Sequence, residues 1–255
     1  MTRRSAAVGL ALLAGVGSAC HDVDTNPSTV NSIELVRLAS PSVVVGDTLR
    51  DTFGVVQPLR GIAFNIQGDE LPDVPIRFRA LDSGITVDSL SGILTGDTIT
   101  DNAVRVVVDT RGLQTQPQTL FSVPRPDTVA TVTLNGRDSV LYTFSDTVIF
   151  SNNLTLKVLN EADTGLVPVR AYIASFAIVS PVDTMLAQLV GDNSRTSFVD
   201  TTASDGTAGR RVRIRPPQLT QPTDSVIVLG TVKYRGSPIL GSPIRFVLLI
   251  KPRQP

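Results

Sequence analysis

One cysteine, one histidine and no tryptophan occur in this 255-residue sequence, and the first two are neighbours, Cys20 and His21. A lone cysteine excludes an intrachain disulfide framework and a thiolate metal cluster. With the only histidine beside it, no Ser-His-Asp triad, Cys-His pair or histidine-ligated zinc site can form in the rest of the chain. Lysine is scarce as well. Lys157, Lys233 and Lys251 are the full set, and none follows a Ser-x-x spacing or a glycine-rich phosphate loop. The 23 basic and 23 acidic residues balance, so there is no field of one sign to recruit nucleic acid or anionic lipid. No catalytic, cofactor-binding or metal-binding residue is assigned from the sequence, and no cofactor or small-molecule substrate is expected.

What the amino terminus does have is an address. Arg3 and Arg4 precede an uncharged run from Ser5 to Ala19, a positive n-region followed by an apolar h-region. A spanning helix needs roughly 20 predominantly apolar residues. This run is shorter and ends in His21, Asp22 and Asp24, so residues 1–19 read as a signal peptide. Cleavage after Ala19 suits an ordinary signal peptidase and would leave a secreted chain. The stretch Gly17-Ser18-Ala19-Cys20 also resembles the lipobox of bacterial lipoproteins, with Gly17 standing where that family favours an aliphatic residue. The resemblance implies that Cys20 carries diacylglycerol on its thiol, removing the liability of a free thiol in an oxidising envelope. Each buried acyl methylene contributes ~0.8 kcal/mol, and two or more chains anchor a protein stably. In Gram-negative lipoproteins, aspartate directly after the cysteine marks inner-membrane retention. Here Asp22 is one place further on, which favours the outer membrane over the inner one. Residues 20–31 are then the lipidated tether.

Beyond the tether the apolar residues recur with period two. Segments such as "SIELVRL", "VRVVVD", "VATVTL", "LTLKVL" and "SVIVLGTVKY" are short, β-branched and bounded by Gly, Pro, Asp or Asn. The segment "VDTMLAQLVG" (182–191) fits a short helical turn or another strand. The basic cluster "RRVRIR" (210–215) alternates, with Arg211, Arg213 and Arg215 facing one way and Val212 and Ile214 the other, which reads as a strand with a solvated face. The predicted class is all-β.

The chain also repeats a plan. Val74-Pro75-Ile76-Arg77 and Val167-Pro168-Val169-Arg170 each follow an alternating strand and a polar turn, and each is expected to open the next strand. They lie 93 positions apart, the length of one immunoglobulin-sized unit. "GSPIRF" (241–246) is too close for a third unit and is expected to be the return strand of a closing hairpin. "SIELVRLASPSVVVGDTL", "ITVDSLSGILTGD" and "SDGTAGRRVRI" resemble turn-and-strand signatures of bacterial Ig-like domains of the invasin and intimin kind. The resemblance implies two tandem Ig-like β-sandwich domains after the signal peptide: domain 1 over 32–124, a linker over 125–128 and domain 2 over 129–255. It specifies a fold and no activity.

Three other readings concern chemistry. Asp82-Ser83-Gly84 and Asp163-Thr164-Gly165 both match the Asp-Ser/Thr-Gly signature of aspartic proteases, which need two such loops so that paired carboxylates share a proton. Asp69, Glu70, Asp73, Asp97, Asp101 and Asn102 offer hard oxygen ligands of the type calcium takes, without a fixed ligand spacing. A carbohydrate-binding module would use Tyr142, Tyr172 or Tyr234, whereas Phe64, Phe78, Phe150 and Phe246 sit on strand patterns and are expected in cores. The leading expectation is a non-enzymatic, lipid-anchored envelope protein acting in adhesion, spacing or docking. Its partners would be the membrane, through Cys20, and an envelope or surface protein, met by strand addition at unpaired edges.

Overall fold

The computed structural model describes residues 28–181, 185–219 and 224–253. Cys20, the signal peptide and most of the tether lie outside the described residues.

The amino-terminal half contributes β1 (Ser32–Leu35), β2 (Ser42–Val44), β3 (Gly61–Phe64), β4 (Arg77–Ala80), β5 (Ile85–Val87), β6 (Leu94–Gly96), β7 (Val104–Thr110), β8 (Leu113–Gln114) and β9 (Gln118–Val123). The carboxy-terminal half first contributes β10 (Thr128–Thr131), β11 (Arg137–Tyr142), β12 (Ile149–Phe150), β13 (Leu154–Ala162), β14 (Gly165–Pro168) and β15 (Ile173–Ser180). It continues with β16 (Ala187–Val190), β17 (Val199–Thr201), β18 (Thr207–Ile214), β19 (Asp224–Thr231), β20 (Lys233–Tyr234), β21 (Ser237–Pro238) and β22 (Ile244–Pro252). The helical pieces among the described residues are two three-residue 3-10 turns, Leu134–Gly136 and Pro216–Gln218. The chain is all-β.

Both halves close their sheets in the same way. In the first, the sheet order is β2-β9-β7-β4, with β2 parallel to β9, the last strand of that half. In the second, the order is β11-β22-β19-β15-β17, with β11 parallel to β22, again the last strand. Every other pairing within those two sheets is antiparallel. An early strand that leaves its hairpin partners to lie parallel to the final strand seals a sandwich edge, and it is a feature of Ig-like topology. The second half packs its five-stranded sheet against the sheet β10-β13-β18-β12, which also carries β14 and β16.

Period-two alternation supplies the cores. In β22, Phe246, Leu248 and Ile250 are fully buried, and they meet Leu154, Leu156 and Val158 of β13 in one cluster. Gly230 of β19 makes room for this packing. A Cβ there would stand 2.9 Å from a Leu156 methyl and 3.0 Å from the Phe246 ring. The stacked rings of Phe176 and Phe246, 6.5 Å apart, fill the space instead. A second cluster, around Leu35, Leu49, Phe78, Leu94, Val106 and Leu120, holds the first half. The larger cluster also takes in Val44 and Val123, so the apolar contact continues across the boundary between the halves.

Several expectations change on contact with the fold. "VDTMLAQLVG" resolves in favour of strand at Ala187–Val190. Ladder bonding begins inside the expected tether, where Asn31 N donates to Phe64 O at 2.8 Å. Val74-Pro75-Ile76 does lead into β4, but Val167 and Pro168 close the hairpin strand β14, and β15 opens only at Ile173. Ile244–Pro252 returns antiparallel to β19 after the small β20–β21 hairpin, as expected. Phe78 and Phe246 are buried, whereas Phe150 is exposed on the outer face of β12 with the Arg211 guanidinium 4.9 Å from its ring centre. The cause is parity: Ile149 takes the inward position, and Ser151–Asn153 bulge before β13 resumes on the same partner.

The other surprise is Arg210. Arg211 and Arg213 lie on the outer face of β18 as expected, but Arg210 shares the inner face with Ala208, Val212 and Ile214 and is 8 % exposed. β16 leaves β18 after Val190 to feed β17 in the opposite sheet, so β18 loses a ladder partner there. Asp200 of β17 takes its place. Its carboxylate accepts the Gly209 N–H at 2.8 Å and an Arg210 Nη1 contact at 2.7 Å, while Arg210 Nη2 also donates to Val199 O.

Candidate functional site

The described residues meet at a cleft between the two halves. One wall is the turn after β2, Val45-Gly46-Asp47-Thr48, and the loop that follows it as far as Gly54. Asp47 N donates to Val44 O at 3.0 Å and Thr48 N donates to the Asp47 carboxylate at 2.9 Å, while Gly46 takes φ 73°. The opposite wall comes from Tyr172 at the start of β15 and from the β20–β21 hairpin, whose turn is Arg235-Gly236. The enclosed space is about 270 Å³.

Asp47 is the pivot of the cleft. It is 5 % exposed, and its carboxylate accepts Arg50 Nη2 at 2.9 Å and Arg235 Nε at 2.9 Å. Burial alone would raise its pKa. The hydrogen bonds from Arg235 and Arg50 outweigh burial and hold the carboxyl well below the usual carboxylate range. The same bond stabilises the charged Arg235. Tyr234 sits beside it, with the guanidinium carbons of Arg125 and Arg235 each 5.3 Å from its ring centre. Burial raises the pKa of the Tyr172 hydroxyl, which donates to Lys233 O at 2.7 Å.

Backbone meets backbone at the floor. A Cβ on Gly54 would stand 2.0 Å from Gly236 N, so only glycine allows the two loops to touch. A second tie lies alongside: Arg170 donates to Thr100 O, pairs with Asp101 at 3.4 Å and stands 4.8 Å over the Phe121 ring. The expected linker is likewise held. Asn160 Nδ2 donates to Arg125 O at 3.0 Å and to Asp127 at 2.7 Å, and Asp127 N donates to Leu159 O.

The aspartates of the protease reading are placed apart. Asp82 follows β4, where Arg105 binds it through Nε at 2.9 Å and Nη2 at 2.8 Å. The hydrogen bond from Arg105 holds its pKa at about 2, so it is ionised rather than poised to share a proton. Asp163 is at the exposed tip of the β13–β14 hairpin in the other half. Of the acidic turns, Asp69 is engaged locally with Asn65 and Asp97 with the Thr86 hydroxyl at 2.6 Å, while Asp101 pairs with Arg170 of the other half. Among the described residues no group of three or more His, Cys, Asp or Glu could hold a metal ion. Of the sugar candidates, Tyr142 is in the core, whereas Tyr172 and Tyr234 line the cleft. Asp47, Arg50 and Arg235 carried no sequence signal as a site. The Val-Gly-Asp-Thr turn was visible only as a fold signature.

Sheet edges are partly covered. Phe78 N of β4 donates to Ser89 O, Arg210 occupies Val199 O of β17, and Asp138 of β11 accepts Asn152 N. Some of the exposed apolar side chains lie toward the far end of the second half. Tyr142 and Pro252 are paired at the end of β11 and β22, and Ile149 and Ala187 both pair with Ile214. That register brings the end of β11, with Leu141 on its outer face, and the loops carrying Phe144, Val148 and Met185 to one end, with Phe144 94 % exposed at the apex of its turn.

An all-β chain with two cores and parallel-closed sheets falls in the class of Ig-like β-sandwich proteins. No family model matches the sequence, and no curated protein does. Among solved structures, domains 4 and 5 of the S-layer protein SbsC align at 14 % identity over 87 % of this chain and 98 % of that one, with a TM-score of 0.30. The Yersinia pseudotuberculosis adhesin InvE aligns at 16 % identity over 85 % of this chain and 58 % of its own, with a TM-score of 0.34. The protocadherin GammaB4 extracellular domain aligns at 10 % identity over 88 % and 34 %, with a TM-score of 0.30. The class therefore rests on the strand pairing described above.

Proposed function

We propose that this chain is a non-enzymatic envelope protein, anchored by acyl chains on Cys20, that presents two Ig-like units as one jointed body for docking or adhesion. The units are residues 32–124 and 129–255, joined by 125–128. The observation that carries the reading is the apolar loop end of the second unit. Phe144, Leu141, Val148 and Met185 are all exposed there, Phe144 most of all. Clustered exposed apolar side chains mark contact surfaces. The outer membrane is the favoured location, and the partner is an envelope or surface protein.

Two measurements test this. Cys20→Ser should move the protein from the membrane fraction to the soluble fraction, and a wild type that is already soluble with an unmodified amino-terminal mass rejects the anchor. A photo-crosslinking residue at position 144 should yield a discrete adduct in intact cells, whereas one at Asp163 should not. Equal labelling at both positions, or none at 144, rejects the loop end as the contact surface.

A further inference from the structure

The edge strand β11 keeps one side of its backbone open. Arg253 N donates to Tyr142 O at 2.8 Å, which fixes the phase of the parallel ladder with β22. Asp138, Val140 and Tyr142 turn their backbone groups toward β22, and Arg137, Ser139 and Leu141 turn theirs away. Arg137 N is taken by Leu134 O. Among the described residues, nothing bonds the N–H groups of Ser139 and Leu141 or the carbonyls of Arg137, Ser139 and Leu141. Asp138 holds Asn152 through its side chain, which leaves this backbone row untouched. The strand runs six residues with neither a proline nor a register shift. Such a row of unpaired groups is a template for another strand.

Exposed apolar residues stand at both ends of the row. Leu134, just before β11, is 80 % exposed, Phe144, just after it, is more exposed still, and Leu141 between them is half exposed. This order complements itself. A strand that adds antiparallel to β11 and covers all three must carry an apolar group ahead of its open backbone and another behind it. A second β11 carries both.

We propose that two copies of this chain pair antiparallel through β11, about a two-fold axis at Val140. Ser139 N then donates to Leu141 O of the second copy and Leu141 N to its Ser139 O, and the two-fold axis repeats both bonds. The two Leu141 side chains become diagonal neighbours roughly 7–8 Å apart. The turn carrying Phe144 in one copy comes to the turn carrying Leu134 in the other, at both ends of the contact. The five-stranded sheets join into one continuous sheet. β22 leaves the hairpin that lines the cleft and ends beside Tyr142, and β11 runs parallel to it. Antiparallel pairing therefore sets the two amino-terminal halves at opposite ends of the pair, an arrangement suited to copies on facing surfaces. The proposal rests on the docking reading for its surface and names a second copy as the partner.

Sedimentation velocity of the purified full chain in density-matched detergent should show a dimer that grows with concentration. Ser139→Pro removes an outward N–H and leaves the ladder to β22 intact, so it should weaken pairing at least about tenfold with Tm unchanged. Leu141→Lys sets like charges near each other across the axis and should weaken pairing at least as much. It carries the test if Ser139→Pro fails to fold. In an oxidised mixture of Ser139→Cys and Leu141→Cys chains, mass mapping should find position 139 of one chain joined to position 141 of the other. A chain that stays monomeric up to about 100 μM overturns the proposal. So does a dimer that both substitutions leave unchanged, or a disulfide joining 139 mainly to 139 or 141 mainly to 141. A monomeric chain that still labels another protein from position 144 in cells removes this proposal and leaves the docking reading standing.

Discussion

Arg235 Nε donates to Asp47 Oδ2 at 2.9 Å, across 188 positions of sequence. The aspartate is buried in a turn of the first half and the arginine lies in the turn of a hairpin of the second, so the bridge ties the two halves together. A Pro-containing connection between domains ordinarily leaves their orientation loose. Here the connection itself is hydrogen-bonded, and the larger core reaches across it through Val44 and Val123.

Removing the carboxylate should therefore destabilise more than a surface ion pair would. Asp47→Ala leaves Arg50 and Arg235 without their counter-charge and should cost about 2–4 kcal/mol in urea unfolding, where an exposed pair costs about 0–1. Arg235→Ala should cost less, since that side chain is half exposed. Equal, negligible losses for both would show that the bridge does not hold the joint.

The same group sets an acid limit. The folded carboxyl titrates below its ordinary value of 3.8, so its contribution is complete above that value and is lost as pH falls through the folded range. Asp82, held at about 2 by Arg105, acts in the same direction. Unfolding free energy measured at stepped pH should fall below about pH 4, and the fall should be shallower in Asp47→Asn. An unchanged slope in that variant would reassign the acid sensitivity to other carboxylates.

Two glycines of similar backbone conformation should behave differently. Gly46, at φ 73°, has nothing within 4 Å of a built Cβ, so Gly46→Ala should cost only the left-handed strain of about 1–2 kcal/mol. Gly54, at φ 85°, meets the Gly236 backbone, so Gly54→Ala should also open the joint. Small-angle scattering should report a longer particle for Gly54→Ala and an unchanged one for Gly46→Ala. Identical profiles for the two variants would contradict the close loop contact.

At the sheet switch, Asp200→Ala should cost about 3 kcal/mol by stranding Arg210 on the core face, and Arg210→Met in that background should recover much of the loss. Strict additivity in this double-mutant cycle, followed by thermal unfolding, would mean that the two side chains do not act together.

Proteolysis of casein between pH 3 and 7 should be absent, and Asp82→Asn or Asp163→Asn should abolish nothing. Acid-pH turnover lost in each folded variant would restore the aspartic-dyad reading.

The local alternation of apolar and polar residues determined the class. In β22, Phe246, Leu248 and Ile250 point inward because a strand places every second side chain on one face, and that is readable from any window of the sequence. Pro75 before β4 and the glycine turns were legible for the same reason, since their constraints act over a few bonds. What the sequence could not show was who faces whom across long separations. Arg210 shares the core face with Val212 and Ile214 by alternation, but its partner Asp200 reaches it only because β16 departs to the other sheet. Phe150 falls on the solvent face because of the parity set at Ile149, and Asp47 finds Arg235 only when the two halves meet. Each outcome depends on sheet order and on contact between distant segments, where burial and hydrogen bonding compete among many partners, and only the assembled tertiary structure selects one of them.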